Sequence, residues 1–183
     1  MRNWPIFPLV IPVILFAVSF IMYLAFTLHF KPFYSYRHHN YVAEAFLNGR
    51  FDVPDAPDYY HDFTVIEGRN YVPFGPTPAF ILLPFVAIFG VLVNTQIVSA
   101  LIGAFNVVLV YLLLSKIAQA RVVREEGIPT ARSEQGDAST GGKETRDRTR
   151  AMMLTIFFAF GTVHFYAVVI ANTWLFAQVV GVF

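Results

Sequence analysis

The stretch LVIPVILFAVSFIMYLAFTLHF, residues 9–30, decides the fold class. It holds 22 residues without a formal charge. A helix of that length spans about 33 Å, enough to cross a hydrocarbon core of roughly 30 Å. A cleaved secretory signal would have a shorter apolar core and a small-residue cleavage site, whereas residues 31–37 are rich in Phe and Tyr. Residues 1–30 therefore predict an N-terminal transmembrane helix that stays attached.

The composition of the whole chain favours a membrane protein. Of its 183 residues, 56% are hydrophobic and 14% are charged, too few charges to cover a soluble surface. The formal net charge of +1 argues against a nucleic-acid partner, because such a partner requires a basic surface. The chain has no cysteine, which excludes disulfides, thiolate metal sites and cysteine nucleophiles.

A second charge-free run begins at residue 95. Residues 95–115 are long enough to cross the membrane, and we expect a transmembrane helix over 95–117. Within it, Ser99 and Gly103 form a small-xxx-small pair, which is suited to close packing against another helix.

A third charge-free run, residues 151–183, is too long for one crossing. Asn172 and Thr173 are its polar point, so we expect a transmembrane helix at about 151–171 and the start of another at Trp174. Because that last helix stops after ten residues, we expect the chain to be the N-terminal part of a longer protein.

The charges between these runs predict sidedness. Residues 121–150 contain seven Lys or Arg, and residues 31–69 contain four, so the positive-inside rule places the former in the cytoplasm. This is consistent only if residues 79–93, an apolar piece of 15 residues with Pro84 inside, do not cross. We therefore expect a re-entrant or interfacial helix there. The alternative, a short transmembrane helix, would put residues 121–150 outside.

Two loops of different character follow from this sidedness. Residues 118–150 are rich in Gly, Ser, Thr and charges, with hardly any large apolar side chain after Ile128, and predict a disordered cytoplasmic loop. Residues 31–94 are the outer loop of the cell-membrane protein, in which Asn40 is expected to cap a short helix over 41–48 that lies on the membrane surface. We expect Gly49 to end that helix.

Two segments of the outer loop carry a family resemblance. They are YVAEAFLNGR at 41–50 and DFTVIEGRNYVPFGPTP at 62–78, the latter followed by apolar residues 79–90. Together they resemble a recurrent pattern in bacterial membrane glycosyltransferases of the GT-C superfamily, which includes protein O-mannosyltransferases and aminoarabinose transferases of lipid A. The resemblance covers roughly residues 9–120. With the apolar runs, it implies an all-α, multi-pass transmembrane bundle with surface helices in the first outer loop.

The resemblance also implies a reaction, the transfer of a sugar from a polyprenyl-phosphate donor to an acceptor hydroxyl at the outer membrane face. In such enzymes a carboxylate of the first loop deprotonates the hydroxyl, and cations hold the departing lipid phosphate. Where that acid usually stands, this chain has YRHHN at 36–40. The candidate bases are therefore Asp62 first, then Asp52 and Glu44. The alternative for each of these residues is a solvated acid of the loop or a charge on a helix face, with no catalytic role.

Arg69, with Arg50 second, is the candidate for binding the lipid phosphate, because a guanidinium offers a fork of donors. The alternative role for Arg69 is anchoring at the membrane interface. Adjacent histidines His38 and His39 point in different directions, and no metal-ligand spacing occurs. No metal or other cofactor is therefore predicted, and a divalent ion stays the less favoured alternative.

The alternative function is a non-catalytic multi-pass membrane protein or a transporter fragment. A transporter would carry polar groups within its spans, whereas most polar residues here lie outside them. Membrane lipid is an expected partner in either case. If the chain is part of a glycosyltransferase, we expect these 183 residues alone to be inactive, because the remaining spans that would enclose the donor are missing.

Overall fold

The computed structural model describes residues 7–29, 37–54, 57, 59–126 and 138–183. Its helices are α1 (Phe7–His29), α2 (His38–Leu47), α3 (Thr77–Phe89), α4 (Thr95–Glu126), α5 (Ala138–Gly161), α6 (Val163–Ile170) and α7 (Thr173–Val182). Its strands, β1 (Thr64–Ile66) and β2 (Arg69–Tyr71), form one antiparallel hairpin. The prediction of a mostly helical protein is confirmed.

Two helices among the described residues are long and apolar enough to cross a membrane, Leu9–His29 and Thr95–Ala120. The pair Thr145–Gly161 and Val163–Ile170, bent by 47°, makes a third if it counts as one span. At 13 residues, α3 is about 20 Å long and falls short of the bilayer core.

Helix α4 is the centre of the helix packing, since it contacts α1, α5, α6 and α7. Gly103 on α4 lies against α6 so closely that an added Cβ would be 2.5 Å from Cγ2 of Val168. Ser99, one turn earlier, is fully buried. The small-residue pair that the sequence singled out therefore faces other helices, as close packing of transmembrane segments requires.

The single span expected over 151–171 is broken, which corrects the prediction. Thr162 has extended backbone, and its hydroxyl donates to Phe158 O at 2.8 Å and accepts from His164 N at 3.2 Å. Thr162 thus caps α6, with the side chain supplying the bonds that the helix loses. The next break lies at Ala171 and Asn172, where the Asn172 side chain accepts from Leu175 N, at the point that the sequence indicates.

The prediction of a disordered loop over 118–150 is also corrected. Helix α4 continues to Glu126 and α5 begins at Ala138, so residues 118–126 and 138–150 are helical. Residues 127–137 lie outside the described residues. A shortage of large apolar side chains rules out a core, but each segment continues a helix that is already formed, and Ala, Gln, Arg and Glu in 118–126 favour helix on their own.

Candidate functional site

The C-terminal end of α2 determines where the backbone of Arg50 lies. Gly49 has a φ of +68°. Its N–H donates to Phe46 O at 3.1 Å, and the N–H of Arg50 donates to Ala45 O at 2.8 Å. These two bonds form a Schellman cap, which needs a left-handed residue that glycine supplies at little cost. The helix end predicted at Gly49 is confirmed, and the cap sets the path of the chain into Arg50.

The β1–β2 hairpin determines where Arg69 lies. Its turn has positive φ at both central residues, +51° at Glu67 and +74° at Gly68, as a type I′ turn requires. The turn pairs Ile66 with Arg69. Sequence analysis missed this hairpin, although a Gly-containing pair between two runs of β-branched and aromatic residues is a turn signal.

An open groove of about 580 Å³ lies between the segment after α2 and the hairpin. A hydrogen bond of 2.8 Å from Val53 N to Asn70 O holds the two segments together. The lining residues are Gly49, Arg50, Phe51, Asp52, Pro54, Gly68, Arg69 and Tyr71. The volume falls in the range of small-molecule sites, roughly 300 to 1,000 Å³. Three of the five predicted site residues, Arg50, Asp52 and Arg69, therefore face one groove.

Asp52 and Arg50 form a two-pronged ion pair inside this groove. The Nη2 and Nε atoms of Arg50 donate to Oδ2 and Oδ1 of Asp52 at 2.6 Å and 3.3 Å. The hydrogen bonds from Arg50 are the main cause that lowers the pKa of Asp52, and the charge of Arg69 acts in the same direction. A carboxylate with a lowered pKa is a weaker proton acceptor. This pairing counts against Asp52 as the general base.

The other two candidate bases do not line the groove. Glu44 lies half-buried on α2. Asp62 is exposed and has a φ of +71°, a strained conformation that Asp tolerates better than most residues and that is frequent at functional sites. It precedes β1, at the hairpin end opposite Arg69. Ile66, the pairing partner of Arg69, lies four positions further along the chain, about 13 Å away along an extended backbone.

A second polar cluster, which sequence analysis missed, joins α2 to α7. His38 bonds through Nε2 to His61 O at 2.8 Å and through Nδ1 to Thr173 Oγ1 at 3.1 Å. His39 bonds through Nε2 to Thr173 O at 3.2 Å. Because a carbonyl oxygen only accepts, Nε2 of each ring carries the proton. In the sequence, this cluster is signalled only by the two adjacent histidines. Their ring nitrogens form hydrogen bonds with His61 and Thr173.

Asn40 is not the helix cap that the sequence predicts, since α2 begins two residues earlier. Its side-chain amide donates to Val91 O at 2.9 Å and Val93 O at 3.0 Å, and its oxygen accepts from Thr95 Oγ1 at 2.9 Å. Asn40 therefore ties α2 to the connection between α3 and α4. Tertiary partners satisfied its polar atoms in place of the local backbone bonds that define a cap.

The expectation that α2 lies on the membrane surface stays a prediction, but its apolar face is covered by protein. Val42, Ala43 and Ala45 are buried, and the helix packs against α3. The apolar face that was expected to meet lipid meets protein, because the hydrogen bonds at its N-terminal end hold α2 against α3, α4 and α7.

The buried state of His39 predicts a loss of stability in acid. Burial lowers the pKa of His39 to about 4 from its ordinary 6.5. Between these pH values the unfolded chain binds a proton that the folded chain does not, so the free energy of unfolding decreases as pH falls through this window, by about 2 to 3 kcal/mol at its lower end. Thermal unfolding in detergent at pH 7.5 and 4.5 measures the effect. The matched variant His39→Gln should show a smaller pH dependence, and an equal dependence in both chains would contradict the assignment.

Within the described ranges, no three His, Asp or Glu side chains lie close enough together to hold a metal ion. Asp55 and Asp58 of the same loop lie outside the described residues. The candidate site is thus the groove with its arginine pair, together with Asp62 outside it at the other end of the hairpin.

Comparison with protein-family models, with curated proteins and with solved structures finds no match to this chain. The groove and the residues that carry the GT-C resemblance are therefore the features that indicate a function.

Proposed function

We propose that the chain is the N-terminal, membrane-embedded part of a glycosyltransferase that moves a sugar from a polyprenyl phosphate to an acceptor hydroxyl. One observation carries this proposal. The two segments that resemble GT-C enzymes, 41–50 and 62–78, are separate in sequence, yet they meet around one groove. Gly49 and Arg50 come from the first segment and Arg69 from the second.

The chemistry assigns a role to each candidate residue. The bond between C1 of the sugar and the phosphate oxygen breaks, and a bond forms between C1 and the acceptor oxygen. The hydroxyl proton passes to a carboxylate, for which Asp62 is the candidate. The departing lipid phosphate gains negative charge, and the guanidinium groups of Arg69 and Arg50 stabilise it. A donor already activated as a lipid phosphate requires no nucleotide-binding loop.

The proposed topology follows from helix length and charge. Helices α1 and α4 cross the cell membrane, and the bent pair of α5 and α6 forms a third crossing. Helix α3 stays in the outer leaflet without crossing. The groove then lies outside, and the basic ends of α4 and α5 lie in the cytoplasm, as the seven Lys or Arg of residues 121–150 favour.

Cysteine labelling tests this sidedness on a chain that has no cysteine of its own. Val65 is 65% exposed on the hairpin, and Gly142 is an exposed position of α5 where a Cβ meets open space. We expect Val65→Cys to react with an impermeant maleimide in intact cells, and Gly142→Cys to react only after permeabilisation. Reaction of Gly142→Cys in intact cells would refute the topology.

Sugar transfer tests the function directly. Membranes that contain the full-length protein should transfer a labelled sugar from a polyprenyl phosphate to an acceptor hydroxyl. Membranes without the protein are the control, and a nucleotide sugar should not replace the lipid donor. If no polyprenyl-phosphate sugar serves as donor, the proposal fails.

A transporter is the second candidate, and buried polar groups within the apolar helices favour it. Thr27, Ser99 and Asn106 each have a buried side-chain oxygen with no hydrogen-bond partner among the described residues. Helix breaks at Thr162 and Asn172 add to this, since broken helices line the substrate sites of many transporters. Solute uptake by proteoliposomes with the full-length protein, without sugar transfer, would favour this candidate.

A further inference from the structure

We propose that Asp52 is a positioning residue: its carboxylate holds the Arg50 guanidinium beside Arg69, so that the two cations bind one lipid-linked phosphate across the groove. The choice of ligand rests on the proposed function, whereas the role of Asp52 rests on geometry. This role differs from the general base that the sequence suggested for the same residue.

The ion pair has the form that fixes an arginine. Two bonds, at 2.6 Å and 3.3 Å, join the Nη2 and Nε edge of Arg50 to both oxygens of Asp52. Such a two-pronged pair sets the plane of the guanidinium as well as its place.

Exposure is unequal within the pair. The Asp52 side chain is 9% exposed and that of Arg50 is 48% exposed. Of the two charged groups, the Arg50 guanidinium is therefore the more accessible to a ligand in the groove. A proton acceptor would need the opposite order, with its oxygens accessible to the acceptor hydroxyl.

Arg69 faces the same groove from the hairpin. The bond between Val53 and Asn70 holds this wall against the segment that carries Asp52 and Arg50. Two guanidinium groups on separate walls match the oxygens of a phosphate, which accepts several charged hydrogen bonds at once. Among the described residues that line the groove, two carry a guanidinium and one a carboxylate.

The two possible roles of Asp52 predict opposite signs for one substitution. If Asp52 contributes only its charge, Asp52→Asn removes a repulsion and tightens phosphate binding. If Asp52 positions Arg50, the same variant weakens binding, because Arg50 must then be ordered when the ligand binds.

The experiment measures binding of farnesyl phosphate, a short polyprenyl phosphate, to the purified full-length protein in detergent. Farnesol, which has no phosphate, controls for binding of the hydrocarbon. We expect saturable binding of farnesyl phosphate, weakened about tenfold or more by Arg50→Ala or Arg69→Ala. Asp52→Asn should weaken it by about threefold to tenfold, and it should have no such effect in the Arg50→Ala background.

Matched variants separate this result from misfolding. Glu67→Gln removes an exposed carboxylate from the hairpin turn next to Arg69 and should not weaken binding. Asp52→Glu keeps the charge and should bind more tightly than Asp52→Asn. Thermal unfolding confirms that each variant is folded. Inorganic phosphate should bind more weakly than farnesyl phosphate, and equal binding would overturn the assignment to a lipid phosphate.

Unchanged or tighter binding by folded Asp52→Asn would overturn the positioning role, as would the lack of saturable binding to the wild-type chain. Sugar transfer by the full-length protein keeps the two proposals distinguishable. If the binding pattern holds without transfer, the proposed function alone fails. If transfer occurs and Asp52→Asn lowers kcat and removes the acid limb of the pH profile, Asp52 is the base and this inference fails. If Asp52 is a positioning residue, Asp52→Asn raises the KM for the donor and leaves the acid limb of the pH profile in place.

Discussion

Replacing Asp62 with Asn should lower sugar transfer by the full-length protein by about 10²- to 10⁴-fold. Asn has nearly the same shape but cannot accept a proton from the acceptor hydroxyl. It also tolerates the φ of +71° that the backbone adopts at Asp62. The side chain is exposed, so the substitution buries no new polar group. The loss should therefore appear in kcat and leave thermal unfolding unchanged.

Glu67→Gln is the matched control for this prediction. Glu67 is also an exposed acid of the same hairpin with positive φ, +51°, but it lies at the turn, away from Asp62. Its variant should retain activity. Wild-type activity in Asp62→Asn would exclude Asp62 as the base. The same result in Asp52→Asn and Glu44→Gln would exclude every base proposed from the sequence.

Replacing Gly103 with Leu should destabilise the packing of α4 against α6 by about 3 kcal/mol. A Cβ at this position would lie 2.5 Å and 2.9 Å from the two methyl groups of Val168 and 3.3 Å from the Tyr23 ring. Val168 and Tyr23 are fully buried, so neither can turn outward to make room. Thermal unfolding in detergent measures the loss of stability.

A double-mutant cycle isolates the contact with Val168. Gly103→Ala should destabilise the protein on its own, and much less in a Val168→Ala background, because that variant removes both opposing methyl groups. Gly142→Ala is the control at an exposed helical glycine with open space around it. If Gly103→Ala costs the same with and without Val168→Ala, the close contact does not limit the packing.

Patterns within one segment predicted the helices of this fold well. The charge-free run at 95–115 predicted the apolar part of α4, and Asn172 marked the start of α7 because its side chain caps that helix. The sequence did not predict the break at Thr162, because Gly161 and Thr162 lie inside an apolar run that is long enough for one span. Polarity alone does not distinguish a Thr that only bonds back to its own helix from one that also caps the next helix, as Thr162 does.

The candidate site likewise combines a contact that the sequence could predict with contacts that it could not. Arg50 and Asp52 are two residues apart, so their pairing could have been anticipated from the sequence. Their position opposite Arg69 could not, because it depends on the long-range bond from Val53 to Asn70. Asn40 is the reverse case, in which a local capping rule gave the wrong role and three tertiary hydrogen bonds decided the outcome.

Helix α2 has its two ends attached to different parts of the molecule. At its first turn, His38 and His39 hold the first residue of α7, and its far end leads through the Schellman cap into Arg50. Its ten residues form a rod of about 15 Å. A displacement of α7 that preserves the histidine bonds would pull on the first turn of α2, and therefore on the helix that leads into Arg50. A movement of α7 would thus reach the groove that Arg50 lines.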